Sequence, residues 1–173
     1  MTATFVVETG AGLSTANAFC SVADVTDYND NHDRKECWPP ADPERAIRLA
    51  TQYLVLLGRG RWRGARWTEL QALPFPRTDI RDEDGYYIKS GSNTSMPQIL
   101  KDATAELAIA VADGDTLLEG FEPMIQAVSI SNEAKSESVS YAGPNQDGAT
   151  KRYPRVEMGL RPLLHPGPLM ETC

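Results

Sequence analysis

The sequence is poor in the residues on which enzyme and metal sites most often depend. It holds two histidines and three cysteines among 173 residues, and the cysteines lie at positions 20, 37 and 173. An odd number of cysteines at irregular spacing argues against a disulfide framework, and the lack of a Cys-x-x-Cys pair argues against a structural zinc site. We therefore expect reduced thiols and no bound metal.

Signature motifs of catalysis and of membrane insertion are also missing. The chain has no P-loop, no GxGxxG, no HExxH and no nucleophile elbow. A triad or Cys/His dyad would have to use His32 or His165, which we expect at a helix end and in a proline-rich tail. No apolar run approaches the roughly 18 residues of a membrane span, and the N-terminus lacks the features of a signal peptide. We expect a non-enzymatic protein with no catalytic residue and no cofactor, made in the cytoplasm.

Positive charge is scarce overall, since the formal net charge is −7. This opposes non-specific binding to nucleic acid by the molecule as a whole. The distribution is uneven, with many arginines before residue 82 and an excess of acids over 102–122. A chain with separate basic and acidic sectors can pair with copies of itself.

Helix signals are strong in three places. Asp42, Pro43 and Glu44 form a start signal with an N-cap, a first-turn proline and a first-turn acid, and the pattern predicts a helix over 43–57 that ends at Gly58. Ser21 and Asp24 predict a start for a helix over about 21–32. Pro97 opens a third helix over about 97–113. Apolar residues at three- and four-residue spacings give the second and third helices a core-facing stripe.

Strand signals are fewer. Residues 3–8 are rich enough in β-branched and aromatic types for a short strand. Apolar and polar residues alternate over 125–131 and 137–141 on either side of a polar turn, which predicts a β-hairpin at 125–141. Residues 153–164 could form a short helix before an extended tail. The predicted fold is mainly α, a small three- to four-helix core with a long irregular arm (59–95), the hairpin and the tail. The predicted domains are 1–143 and 144–173.

The arm is the most informative segment, because it is rich in arginine and tryptophan and has no sustained period. A long connection of this kind is usually functional or held by another molecule. Three interpretations are open: an interface anchor, a single-strand nucleic-acid surface, or tryptophans that cap the chain's own core. We favour the interface and assign to it, with part of the hairpin, Arg61, Trp62, Arg63, Arg66, Trp67, Val139 and Tyr141.

The ordered segments VVETGAGLSTANAFCSVADVTDY, ERAIRLATQYL, QALPFPRTDIRDEDGY and MPQILKDATAELAIAV give the chain a family resemblance. It resembles the head–tail connectors, or head-completion adaptors, of long-tailed phages, a group also described as DnaT-like single-stranded-DNA-binding proteins. The resemblance covers nearly the whole chain and is weakest after about residue 143.

The connector resemblance implies a small helical virion protein at the head–tail junction. About twelve copies would form a ring beneath the portal protein and offer a platform to a stopper or tail-terminator protein. Packaged DNA would pass through without specific binding, and no membrane would be involved. The alternative description implies a replication accessory protein that coats single strands.

The C-terminal segment from residue 153 carries too much apolar surface for a free tail, while its prolines forbid a long helix. Such an end suits docking into a groove on another protein, and the resemblance suggests the portal. The residues expected to dock are Tyr153, Arg155, Val156, Met158, Leu160, Leu163, Leu164, Leu169 and Met170. In the competing interpretation, the segment folds back on its own domain.

Overall fold

The structure is a computed structural model that describes residues 4–32, 38–82, 84–88, 96–117, 125–131, 136–141 and 153–165, with the two segments between 125 and 141 described by their backbone. The chain forms two compact units. The first comprises Met1–Leu117 with Pro154–Cys173, and the second is Leu118–Tyr153. This division differs from the predicted boundary at 143/144, because the C-terminal helix packs against the helix that spans Gln98–Ala112.

The first unit is helical. Helix α1 spans Val22–Asn31, α2 spans Pro43–Leu57, α3 spans Gln98–Ala112 and α4 spans Pro154–Gly159, followed by a 3-10 turn over Arg161–Leu163. Helix α3 packs against α1, α2 and α4. The first three predicted helices are confirmed to within about one residue, and the short helix predicted over 153–164 is divided into α4 and the 3-10 turn. Asp42 accepts a 2.9 Å hydrogen bond from the backbone N–H of Arg45, and Pro43 occupies the first turn.

The core of this unit lies between the helices and includes the C-terminal segment. Its largest fully buried apolar side chains are Phe19, Phe75, Ile47, Leu54, Ile80, Leu100, Leu107, Leu160, Leu163, Val25 and Val156. The first helices contribute their predicted stripes. Phe75 and Ile80 come from the arm, which is therefore part of the folded unit and not an excursion from it.

The N-terminal strand predicted over 3–8 is reduced, in the described residues, to a single parallel bridge between Val7 and Ala18. The chain does not continue as a strand beyond this bridge, because the side chain of Glu8 holds the next residues in a loop. Glu8 is 2% exposed and accepts hydrogen bonds from the backbone N–H groups of Gly10, Gly12 and Leu13 at 2.8–3.0 Å. A buried carboxylate satisfied in this way fixes the glycine loop.

The second unit contains a two-stranded antiparallel ribbon. Strand β3 spans Ile125–Ser131 and β4 spans Ser136–Tyr141, and the register pairs Val128 with Val139 and Ser131 with Ser136. A register irregularity lies between Ile125 and Ala127. The predicted hairpin is confirmed.

Helix α1 is fastened to α3 through Asp24. This carboxylate accepts from Ser21 Oγ at 2.6 Å and from the Ser21 N–H at 2.8 Å within a capping box, and from Lys101 Nζ at 2.8 Å. Burial opposes ionisation, but the hydrogen bonds from Lys101 and Ser21 outweigh it and lower the pKa of Asp24. A lowered folded-state pKa stabilises the fold above the ordinary carboxyl pKa of about 4, and that contribution disappears as pH falls through the folded value.

We expect Asp24→Asn to reduce the free energy of unfolding at pH 7 and to have a smaller effect at an acidic pH below the lowered pKa of Asp24, where the wild-type carboxylate is itself protonated. Urea unfolding of both proteins at the two pH values measures this. Asp27→Asn is the matched control, since Asp27 lies exposed on the same helix. An Asp24→Asn penalty that does not shrink at low pH would contradict the assignment.

Candidate interaction surface of the arm

The arm folds back on its own chain between residues 59 and 88. Two short strands, β1 at Ala65–Arg66 and β2 at Arg77–Thr78, pair in antiparallel fashion. Gly64 makes the pairing possible, because its φ is +71° and a Cβ there would overlap the carbonyl oxygen of Thr78. The arm is irregular as predicted, but it is internally bonded.

Arg77 holds the two halves of the arm together. Its guanidinium donates to the carbonyl oxygens of Arg63 at 2.7 Å, Gly64 at 2.6 Å and Pro74 at 3.3 Å. Burial, together with the charge of Arg66, lowers the pKa of Arg77. The planar fork of donors suits several carbonyls at once, so this arginine has a structural role.

Gln71 also links backbone groups of the arm through its side-chain amide. It is 3% exposed, and its amide donates to the carbonyl oxygens of Leu73 at 2.8 Å and Pro76 at 3.0 Å while accepting from the Thr68 N–H at 2.9 Å. The Arg66 guanidinium donates to the Gln71 carbonyl oxygen. Residues 66–70 are therefore held as a rigid loop, which we call the 66–70 loop.

Trp62 packs within its own chain. Its ring meets Phe75 edge to face with centroids 5.1 Å apart, and it lies so close to Gly58 that a Cβ there would overlap the indole. Its backbone forms an antiparallel bridge with Leu164. Because Trp62 is only half-buried, it caps the core, as the third interpretation of the arm proposed for both tryptophans.

The 66–70 loop, by contrast, displays apolar and charged side chains. Trp67 is 39% exposed and Leu70 is 80% exposed, and Arg66 and Glu69 are exposed beside them. Exposed large apolar side chains on a rigid loop are typical of residues that another molecule covers. Sequence reasoning missed Leu70; its only signal was a leucine within polar residues and outside any helical stripe.

A second exposed group lies at the end of the arm. Tyr86 is 73% exposed and Tyr87 is 56% exposed. The Arg81 guanidinium lies 4.0 Å from the Tyr87 ring centroid and donates to its hydroxyl at 2.6 Å. Asp82 accepts from the N–H groups of Asp84 and Tyr86 and shapes this turn. The sequence pattern gave no signal that would have identified the tyrosines.

The remaining predicted interface residues have mixed environments. Arg61 and Arg63 are half-buried, and Arg63 donates to the Pro162 carbonyl oxygen at 3.3 Å. The backbone of Val139 and Tyr141 lies in β4 of the second unit. The structure brings Arg66 and Trp67 together on one exposed loop, with Trp62 facing the core.

The residues expected to dock on a partner also divide. Val156, Leu160, Leu163 and Leu164 are at most 6% exposed within the helical unit. This corrects their assignment, because their side chains already pack in the core in the fold-back arrangement that the sequence left open. Arg155 and Met158 are exposed, Tyr153 is half-buried, and Leu169 and Met170 lie outside the described residues.

A groove lies between α1, α3 and α4, with a volume of about 140 Å³. Its floor is apolar and is formed by buried Ala103 and Val156, and half-buried Ile99 and exposed Gly159 also line it. Its rim carries Tyr28, Asp102, Glu106 and Arg155. The Tyr28 hydroxyl donates to Glu106 Oε2 at 3.1 Å. An apolar floor with a mixed-charge rim suits a short apolar side chain flanked by charges.

Other chemistry is sparse in the described part of the chain. Cys20 is fully buried, and burial, with the Asp24 carboxylate, raises the pKa of its thiol to about 12. Such a thiol is protonated and unreactive. Among the described residues, no group of three or more Cys, His, Asp or Glu side chains is arranged to hold a metal ion. None of the described helices has both the length and the apolar character of a membrane span.

Comparison with known protein families gives a match over nearly the whole chain. A family model described as "Putative DnaT-like ssDNA binding protein" aligns with residues 3–172. The chain belongs to this family. No curated protein and no solved structure matched the chain. The match includes the arm and the C-terminal segment as well as the helices, so all of the surfaces described above lie within the family's common region.

The two tryptophans of the arm should respond differently to substitution. We expect Trp62→Ala to lower the free energy of unfolding by about 2–4 kcal/mol, because it empties space beside Phe75. Trp67→Ala should change it by less than about 0.5 kcal/mol, as exposed sites do. Urea unfolding of each variant measures both values. Equal destabilisation by the two substitutions would show that Trp67 also belongs to the core. A Trp67→Ala protein that stays folded can then be used to test whether Trp67 lies at an interface.

Proposed function

We propose that this protein is a structural head–tail connector of a tailed phage, a non-enzymatic subunit of a ring that binds beneath the portal protein and receives a stopper or tail terminator. The observation that carries the proposal is the two-stranded ribbon of β3 and β4, which lies in a compact unit of its own. A two-stranded ribbon is marginal in isolation and gains stability by packing against other structure or pairing with further strands. A neighbouring subunit supplies such a surface in a ring.

The exposed 66–70 loop supports the same proposal from the other unit. Trp and Arg are the residue types most enriched at the centres of protein interfaces. The loop is held in place by the Gln71 hydrogen bonds, so little conformational entropy is lost when it is covered. A preformed contact loop suits a subunit that must add to a ring in a fixed orientation.

The charge of the chain fits a channel component. The net charge of −7 leaves the phosphates of a passing duplex largely unneutralised. A connector that bound DNA tightly would hold back the genome during ejection. In this proposal the DNA passes without specific contacts, the protein is part of the virion, and no cofactor is required.

The test is assembly on the portal of the same phage. We expect the full chain to add a ring to isolated portals, visible by electron microscopy, and a variant with 118–153 replaced by a Gly-Ser linker to fold but fail to form that ring. Circular dichroism checks that the helical unit of this variant is intact. Normal ring formation without the ribbon would overturn the role given to it, and absence of any portal binding by the full chain would overturn the connector proposal.

A second candidate is a single-stranded nucleic-acid-binding protein, which the description of the family favours. Exposed Trp67, Tyr86 and Tyr87 could stack on bases, and Arg66 could contact phosphates. A fluorescent oligonucleotide at about 0.15 M salt tests this, since low-micromolar or tighter binding that weakens steeply with salt is its signature. Trp67→Ala should then weaken binding, with Leu56→Ala on the exposed side of α2 as control.

A further inference from the structure

We infer that the 66–70 loop of one copy inserts Leu70 into the groove between α1, α3 and α4 of the next copy. This inference rests on the proposed ring and names the two surfaces that would join neighbouring subunits. Nothing in the sequence pattern indicates this pairing. The structure suggests it because one folded unit presents both a rigid apolar projection and an apolar recess.

The projection is built to keep its shape. Leu70 is 80% exposed, yet its neighbours are fixed, since the Trp67 N–H donates to the Pro76 carbonyl oxygen at 3.1 Å and the Ala72 N–H donates to that of Leu13 at 3.0 Å. The next residue, Gln71, is 3% exposed and bonded on both sides. The backbone on either side of this exposed leucine therefore has little conformational entropy left to lose on docking.

The recess has a suitable size. Its volume of about 140 Å³ is close to that of an engineered apolar cavity of about 150 Å³ that binds benzene. The isobutyl group of a leucine is smaller than benzene. Ala103 and Val156 are at most 5% exposed and give the recess a fixed apolar floor.

The charges around the two surfaces are complementary. The loop carries exposed Arg66 and Glu69, and the rim of the groove carries Arg155 together with two carboxylates, Asp102 and Glu106. Glu69 can face Arg155, and Arg66 can face a rim carboxylate with the guanidinium donors not used on Gln71. Opposite charges around an apolar centre favour one orientation of the pair.

When the projection of each copy enters the recess of the next copy, the contact is heterologous. Repeated copies of such a contact close into a ring if the rotation between subunits allows it and otherwise grow into a filament. The inferred contact is therefore of the kind that a ring requires.

Disulfide trapping between two single-cysteine variants tests the contact. Both are made in a full-length background with Cys37→Ser and Cys173→Ser, and buried Cys20 is kept. One carries Leu70→Cys and the other Gly159→Cys. Gly159 lies in the groove, and a Cβ there meets no atom within 4 Å. After mixing under mild oxidation, we expect about tenfold more mixed disulfide dimer than either self-dimer, since a disulfide needs Cα atoms within about 7 Å.

Charge reversal gives a second measurement in the same assay. Glu69→Arg in the Leu70→Cys chain should reduce the mixed dimer at least severalfold, and adding Arg155→Glu to the Gly159→Cys chain should restore it. Arg59→Glu, at an exposed arginine outside the loop, should leave the yield unchanged. Equal yields of mixed and self-dimers, or no rescue by the second reversal, would overturn the inference.

Comparison with portal binding separates this inference from the proposed function. Wild-type rings on portals without mixed disulfide would overturn the Leu70 contact and leave the connector proposal standing. Mixed disulfide without any ring on portals would support the contact and overturn the connector proposal. Failure of both measurements would overturn both.

Discussion

Truncation of the chain after Thr150 is expected to unfold the helical unit. The deleted segment supplies Val156, Leu160 and Leu163 to the core, and each is at most 2% exposed. Removing a buried aliphatic side chain from a core costs about 2–5 kcal/mol, and three such losses approach the whole stability of an ordinary domain, about 5–15 kcal/mol. Circular dichroism and a thermal melt of the truncated chain measure the outcome.

The matched control is a truncation after His165, which keeps the 2.7 Å hydrogen bond from the His165 N–H to the Arg61 carbonyl oxygen of the arm. This shorter truncation should keep the thermal midpoint of the full chain. Leu160→Ala in the full chain should cost about 2–5 kcal/mol. A Thr150 truncation that folded with normal stability would show that the C-terminal segment is a detachable docking tail after all.

Replacement of Arg77 should have the next largest effect. We expect Arg77→Met to lower the free energy of unfolding by about 3–5 kcal/mol, because two short charge-assisted hydrogen bonds, each contributing about 1.5–3 kcal/mol, are lost. The carbonyl oxygens of Arg63 and Gly64 lose a donor at the same time. Urea unfolding measures the total, and hydrogen exchange of the Arg63 and Trp67 amides should rise more than that of α3.

The Arg77→Lys variant tests whether the positive charge of Arg77 or the geometry of its guanidinium stabilises the arm. A lysine ammonium keeps the positive charge but lacks the planar fork that reaches several carbonyls, so it should recover less than half of the loss. Arg59→Met, at an exposed arginine of the same arm, is the control and should change stability by less than about 0.5 kcal/mol. A fully stable Arg77→Lys protein would show that one hydrogen bond, or the charge alone, is sufficient.

The helices and the hairpin could be predicted from sequence because their signals are local. Asp42 with Pro43 and Ser21 with Asp24 define helix starts within four residues, and alternation over 125–141 defines paired strands. The fold of the arm depends instead on contacts between residues far apart in sequence, such as Arg63 with Pro162 and Trp62 with Leu164. No period or motif encodes such pairs.

The C-terminal segment is a second case in which the sequence does not show which residues are in contact. Its apolar content correctly indicated that a surface must cover it, but composition does not say whether that surface belongs to the chain or to a partner. Likewise, the sequence does not show which arginine of the arm supports the fold and which is exposed. The structure shows that Arg77 is an internal support while Arg66 lies on the exposed loop, a difference set by the turn that Gly64 allows.

The helical unit is discontinuous in sequence, since Leu118–Tyr153 is inserted between its two parts, and this affects when the unit can fold. Translation proceeds from the N-terminus, so the residues of the 66–70 loop are made well before α4 and the 3-10 turn, whose side chains complete the core. The loop and the groove can therefore take their folded form only after α4 and the 3-10 turn have been translated. Under the proposed Leu70 contact, a subunit would gain its two joining surfaces together and not one after the other.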